Sequence, residues 1–298
     1  MVKVRVPATS ANLGVGYDCL GLALDDFATV TFEVIAEGLE IAGCEEAYCN
    51  EENLFYQAFV KGLQYMGESV SGIRITVDTD IPYARGLGSS ATCIVAGLAG
   101  ANALFHNRMN RYELFDLATQ MEGHPDNIAP AIFGGLCVSF MEDGKPNMIR
   151  YGVKRDLLFV TMIPDYEVST KAAREVLPDT MRYRDAVYQM GRCAALAKAM
   201  EIGNAMIMRK ACTDQMQEPY RKKLIMEYEN VRSLCRETDM ITMYISGSGS
   251  TMIALTQEEA AARVLVEKIK NQYPSWDARI LRATYDGVQS EVDRKSVV

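Results

Sequence analysis

The sequence predicts an α+β fold in one large or two modest domains, on three observations. Strand-like alternation and helix-like spacing are interleaved along the whole chain. At 298 residues, 49% of them hydrophobic, the chain exceeds the length at which a single core usually stops growing. No repeat, low-complexity tract or long flexible linker separates one half from the other, which predicts two halves sharing a large interface.

The first half supplies its elements in a readable order. "TVTFEV" alternates at Val30, Phe32 and Val34, and "IRITV" at Ile73, Ile75 and Val77, the pattern of half-buried strands. Between them, "NLFYQAFVKGLQYM" places Phe55, Phe59, Leu63 and Met66 at helical spacing. In the next helix Ile94, Leu98, Ala101 and Phe105 share one face, and its Ala and Gly content would allow close packing. "RYELFDLATQM" gives a helix through Leu114, Leu117 and Met121. "LCVSF" follows as a strand, and the Asp-Gly and Lys-Pro pairs of "MEDGKPN" predict a turn.

A boundary is expected there, dividing the chain into residues 1–150 and 151–298. The second half opens with the strand "DLLFVTMIP" and continues with helices from Arg184 to Glu201 and from Ala205 to Ala211. "MITMYI" and "TMIAL" flank a glycine turn, "EEAAARVLVEKIK" is a helix through Ala262, Leu265 and Ile269, and "DARILRA" is expected as the last strand.

Charge and composition exclude several classes of function. The balance of 31 basic to 39 acidic residues, a net charge of -8, argues against nucleic acid or an anionic membrane as partner. The start "MVKVRVPATSANLG" has no apolar leader pattern, and no run approaches the roughly 18 apolar residues of a membrane span. A soluble, cytoplasmic protein is expected, and eight cysteines without a CxxC pair fit a reducing compartment. Two histidines with no HExxH pattern make a zinc site unexpected.

Three glycine-rich stretches carry the chemistry. In "IPYARGLGSSATCIVAGLAGANAL", Gly86 and Gly88 permit close backbone approach to a ligand, with Ser89 and Ser90 at the start of the helix. A helix N-terminus attracts phosphate through its unpaired N–H groups and dipole, so no basic side chain is required. The stretch lacks the lysine of a Walker loop, and it reads either as a phosphate site of another kind or as a capped helix with a tight entry turn. "PATSANLGVGYDCLGLAL" sets Ser, Asn and Asp among glycines after the first strand, too polar for a mere connection. "YISGSGSTMIAL" puts Gly247 and Gly249 in a hairpin-like turn.

Together and in this order, these stretches resemble the GHMP kinases, the family of galactokinase, mevalonate kinase and homoserine kinase. "PATSANLGVGYD", "IPYARGLGSSAT" and "EGHPDNIAPAIFGG" resemble its homoserine kinase branch, and "YEVSTKAAREVLP" and "EPYRKKLI" extend the likeness over nearly the whole chain. Val15 stands where that branch usually has proline and Tyr17 where it has phenylalanine, and neither removes a functional group. The resemblance implies a two-domain fold, N-terminal like ribosomal protein S5 domain 2 and C-terminal ferredoxin-like, with nucleotide and substrate meeting between them. It implies ATP-dependent phosphorylation of L-homoserine in threonine biosynthesis, with Mg²⁺, by a homodimer.

The same resemblance assigns roles to residues. Pro82, Arg85, Gly86, Leu87, Gly88, Ser89 and Ser90 would form the nucleotide loop, and Ser89 and Glu122 would hold Mg²⁺, an ion that prefers oxygen ligands. Asn12, Asp18, His124, Arg174, Arg221 and Gly247 would bind the substrate, Asp18 taking its ammonium and the two arginines its carboxylate. Mevalonate kinases carry an aspartate seven residues before the Gly-Gly pair, where this chain has Asn127, an amide that cannot take a proton. Direct attack by the homoserine hydroxyl is therefore expected, with Asn127 and Thr170 orienting it and Arg174 assisting. The neighbouring Asp126 is the alternative base. Two other readings compete: a kinase for mevalonate or a related alcohol, and a binding protein of the same fold that has lost catalysis.

Overall fold

The computed structural model describes residues 1–293. Its first half runs β1 (Val2–Asn12), β2 (Gly16–Val34), β3 (Gly38–Ala42), α1 (Leu54–Met66), β4 (Gly72–Asp78), α2 (Ser89–Leu104), α3 (Arg111–Glu122), α4 (Ile128–Phe133), β5 (Leu136–Glu142) and β6 (Lys145–Tyr151). The second runs β7 (Leu158–Ile163), α5 (Thr170–Glu175), α6 (Tyr183–Ile202), α7 (Ala205–Ala211), α8 (Glu218–Arg221), α9 (Tyr228–Glu237), β8 (Thr242–Ile245), β9 (Met252–Thr256), α10 (Glu259–Gln272), β10 (Asp277–Leu281) and β11 (Gln289–Val292).

Local chemistry sets the helix ends. Asn53 caps α1 by accepting from the amides of Phe55 and Tyr56, and Gly67 closes it in a left-handed turn. Asn110 and Glu113 form a reciprocal capping box on α3. The helix α2 has no such side-chain cap.

A seven-stranded sheet in the order β11-β1-β2-β4-β3, with β5 and β6 joined on β2, carries the N-terminal helices. Phe32 of β2 stacks on Phe59 of α1 with ring centroids 5.4 Å apart. The second sheet is four-stranded, β10-β7-β9-β8, wholly antiparallel, and its split βαββαβ order is that of a ferredoxin-like domain. One apolar cluster joins the two, packing Leu22, Leu24 and Leu136 with Phe159, Leu255 and Leu281. The expected large interface is this shared core.

Four expectations are corrected. "DARILRA" is not the last strand, because β11 returns to the first sheet and pairs antiparallel with β1, Val2 opposite Val292. Lys145 and Pro146 do not lie in the turn but begin β6, where proline is tolerated because, among the described residues, β6 pairs only with β5. The polar stretch after the first strand is itself strand to Asn12 and again from Gly16, leaving a turn of three residues. Finally, α2 has no single apolar face, for every residue from Ala91 to Ala103 is buried. Gly100 lets it do so, since a Cβ there would stand 2.5 Å from the Phe32 ring.

Candidate active site

Where β1 ends and β2 begins, the backbone departs from the sheet. Asn12, Leu13 and Asp18 all have positive φ, a costly conformation for such residues that concentrates at functional sites. Asn12 holds the bend, its Oδ1 accepting from the Asp18 amide at 3.0 Å while its Nδ2 donates to the Gly247 carbonyl at 2.9 Å. Asn12 thus ties two parts of the site together rather than presenting an open group.

The glycine loop lies between β1 and the loop joining β8 to β9. The Thr9 amide donates to the Leu87 carbonyl, the Thr251 amide to Arg85, and the Ser246 hydroxyl to Gly86 at 2.6 Å. A Cβ on Gly88 would collide with Thr9 Oγ1, and one on Gly86 with the Ser246 carbonyl, so both positions require glycine for space as well as for positive φ. Held in this way, the loop delivers the uncapped N-terminus of α2 to the cavity, with its first amides lacking a helical acceptor.

That cavity, about 210 Å³, is lined by residues from both halves. From the first come Asn12, Asp18, Gly86, Gly88, Ser89 and Ser90, with Glu122, His124, Asp126 and Asn127 beside them. The second contributes Thr170, Arg174, Arg221 and Gly247. Three expected loop residues do not line it. Leu87 is buried in the shared core. The Arg85 guanidinium turns to the carbonyls of Pro164 and Asp165 and to Glu167, so it joins the two halves. Pro82 precedes the part of the loop that reaches the cavity.

At the start of α2, the hydroxyl that meets Glu122 belongs to Ser90, donating to Oε2 at 2.6 Å. Ser89 Oγ instead accepts from the Ala84 amide at 3.3 Å. Consecutive helical residues point about 100° apart, so one of the two serines faces Glu122 and the other faces back along the loop. Burial raises the Glu122 carboxyl above its usual range, opposed by the Ser90 bond and by His124.

The next segment is locked by short polar contacts. Asp126, 2% exposed, accepts from its neighbour's amide, that of Asn127, at 2.9 Å, and lies 2.6 Å from His124 Nδ1. This bond raises the His124 pKa, with burial opposing it. Thr9 Oγ1 donates to Asn127 Oδ1 at 2.8 Å. The Asn127 oxygen is therefore committed, and its NH₂ is the group left for a ligand.

Opposite stand the charged residues. Arg174 binds both carboxylate oxygens of Asp18 and donates to the Tyr17 hydroxyl at 2.8 Å. Buried Arg221 donates to the carbonyls of Ala173 and Gly247 and to Gln217 Oε1, and lies over the Tyr17 ring. Burial lowers its pKa. Its Nη2 has no hydrogen bond among the described residues. Thr170, the first residue of α5, lines the cavity behind the Ser169 cap.

Sequence reasoning missed Thr9, Tyr17 and Gln217 as supports of this site. Thr9 was within reach, since it lies inside the polar "PATSAN" run. Gln217 gave no signal, because its work depends on a contact between α8 and the turn at Gly14.

Comparison with known proteins matches this arrangement at several levels. Residues 53–135 match the GHMP kinases N terminal domain and residues 189–275 the GHMP kinases C terminal domain. The chain is 38% identical over 287 residues to a homoserine kinase of Clostridium botulinum, covering 95% of this chain and 96% of that one. A solved homoserine kinase of Cytophaga hutchinsonii superposes with a TM-score of 0.87 at 27% identity over 97% of each chain. A putative homoserine kinase of Listeria monocytogenes gives 0.82 at 26% identity, over 98% of this chain and 100% of that one.

Proposed function

The chain belongs to the homoserine kinases of the GHMP kinase family, and we propose that it transfers the γ-phosphoryl group of ATP to the side-chain hydroxyl of L-homoserine without a strong protein base. The product is O-phospho-L-homoserine, a step of threonine biosynthesis. Soluble, cytoplasmic and homodimeric states are the ones this membership leads us to propose; no helix among the described residues is long and apolar enough to cross a membrane.

The observation that carries this reading is the meeting, in one cavity, of a helix N-terminus for phosphate with Asp18, Arg174 and Arg221 for a zwitterion. The acid suits the ammonium and the arginines suit the carboxylate of a small amino acid. With those ends fixed, the substrate hydroxyl points toward Asn127 and the end of the glycine loop. About 210 Å³ accommodates the amino acid and a terminal phosphate, and the rest of the nucleotide extends along the loop.

Asn127 donates its NH₂ toward the attacking oxygen or a γ-phosphate oxygen, because Thr9 occupies its carbonyl. Asp126 holds His124 and the Asn127 backbone, which suits a positioning group better than a base. The hydroxyl oxygen bonds to phosphorus as the bond to ADP breaks, and the hydroxyl proton leaves on an oxygen of the transferred group. A loose transition state permits this, since positioning and charge stabilisation supply most of the acceleration.

The donor set also fits Mg²⁺, since the Glu122 carboxylate beside the Ser90 hydroxyl would offer the oxygen ligands this ion prefers, with phosphates and water as the rest. When bound there, the ion would neutralise charge between the β- and γ-phosphates. Glu122 would hold it, with Ser90 orienting the carboxylate.

ADP release with Mg-ATP, measured in parallel against L-homoserine, mevalonate and galactose, tests the proposal. Turnover with homoserine alone is expected. Its absence, or faster turnover of either alternative, would overturn the assignment.

A further inference from the structure

A second cavity, of about 420 Å³, lies beyond α8, bounded also by α9 and β8. The four residues of α8 separate it from the active site: Arg221 lines the first cavity, while Glu218 lines the second.

Its charges do not cancel. Arg209 pairs with Asp239 at 3.0 Å and Lys222 with Glu229 at 2.7 Å. Asp214 is occupied by the amides of Gln217 and Glu218 and by the Gln189 side chain. That leaves the guanidinium groups of Arg232 and Arg236, one turn apart on α9, which make no hydrogen bond and no ion pair among the described residues. Glu218 does not neutralise them by contact, since its Oε1 accepts from the Tyr228 hydroxyl and the Ile245 amide, both at 3.1 Å. Burial, reinforced by Asp214, pushes its pKa up to about 7, opposed by its two hydrogen bonds and by the nearby Arg232.

We propose that this cavity is a second ligand site, taking a small organic anion, carboxylate or phosphate, on Arg232 and Arg236. Its occupancy reaches the homoserine site through Glu218. The Ile245 amide that Glu218 holds is at the foot of the loop bearing Gly247, and the Gly247 carbonyl accepts from Arg221 and Asn12. Glu218 and Arg221 also share α8, so a shift of this short helix moves both. The binding half of the proposal is independent of the reaction; the coupling half rests on the homoserine reading above.

The test uses the full chain with the glycine loop blocked by a non-hydrolysable ATP analogue, whose own binding is measured first and reports separately on the kinase reading. Inorganic phosphate and citrate are then titrated calorimetrically, and the one that binds identifies the ligand chemistry. One anion per chain is expected, weakened at least tenfold in Arg232→Ala/Arg236→Ala, a double variant on the rim of α9 whose activity without anion and melting temperature stay at wild-type values. The bound anion should shift the homoserine KM at least twofold in wild type and not in the variant. No binding of either probe, or equal binding by the variant, overturns the site; binding with no KM shift overturns the coupling.

Discussion

Arg174 grips Asp18 through two parallel hydrogen bonds, Nη1 to Oδ2 and Nη2 to Oδ1, each 3.0 Å. The proposed function gives both groups to the substrate, and on that reading homoserine would have to share them with each other. Replacing Asp18 by Asn removes the ammonium's partner, worth about 1.5–3 kcal/mol for a charged hydrogen bond, and should raise the homoserine KM roughly 10- to 100-fold. The ATP KM should stay near wild type. Steady-state kinetics in both substrates checks this, and an unchanged homoserine KM would remove Asp18 from the ammonium site.

Thr9 sets the orientation of the Asn127 amide. Thr9→Val keeps the shape but removes the donor, and kcat should fall about tenfold, the cost of one hydrogen bond of about 1.4 kcal/mol expressed in the transition state. Thr9→Ser should restore most of it. Equal losses in the two variants would point to packing in place of orientation.

Gly88 has no room for a methyl group, since a Cβ there meets Thr9 Oγ1 and approaches Asn127 Oδ1 to 3.1 Å. Gly88→Ala should raise the ATP KM and lower kcat together, because the loop and Asn127 move as one. Circular dichroism should show an unchanged fold. A variant with normal ATP binding would mean that the loop does not hold the phosphates.

Glu122→Ala and Ser90→Ala should each raise the Mg²⁺ concentration needed for half-maximal rate, Glu122→Ala by more because it removes the charge. Ser89→Ala serves as the comparison. If Ser89→Ala had the larger effect, the serine facing Glu122 in the free protein would not be the one facing the metal.

His124 titrates above an ordinary histidine because of its bond to Asp126. A raised folded-state pKa stabilises the fold fully below the unfolded value of about 6.5, and that contribution is lost as pH rises through the higher folded value. The stability difference between wild type and Asp126→Asn, from urea melts, should therefore narrow as pH rises from about 6 to about 9. A difference constant over that range would mean that the imidazole stays neutral.

Much of this site is legible in the sequence because its parts are local. The glycine loop with its two serines falls in a short run whose composition marks it, and Glu122, His124 and Asn127 share the run "EGHPDNIAPAIFGG" through which the family resemblance assigns them roles; the structure brings them to one cavity. Arg174 and Arg221 are different. They lie in charged segments with nothing in their spacing to mark them, and only the family resemblance picked them out from surface arginines. Arg85 is a cation next to the glycine loop whose guanidinium joins the two halves, a contact its place in the sequence does not disclose. Which of the two serines meets Glu122 depends on helical geometry that a run of two serines does not disclose. In the fold, the strand at β11 escaped because four exposed residues, "QSEV", carry no alternation of burial to read.

That strand has a consequence for how the molecule is made. Residues 289–292 complete the edge of the sheet that contains β1, so the first sheet acquires its last strand only after β10 has been synthesised. On the ribosome the sheet stays open at one edge until the ferredoxin-like domain has emerged, and the glycine loop waits for the same domain to supply its Ser246 and Thr251 contacts. The later domain then acts as a clasp, and a chain interrupted between them leaves β1 with an unpaired edge for chaperones and proteases to find.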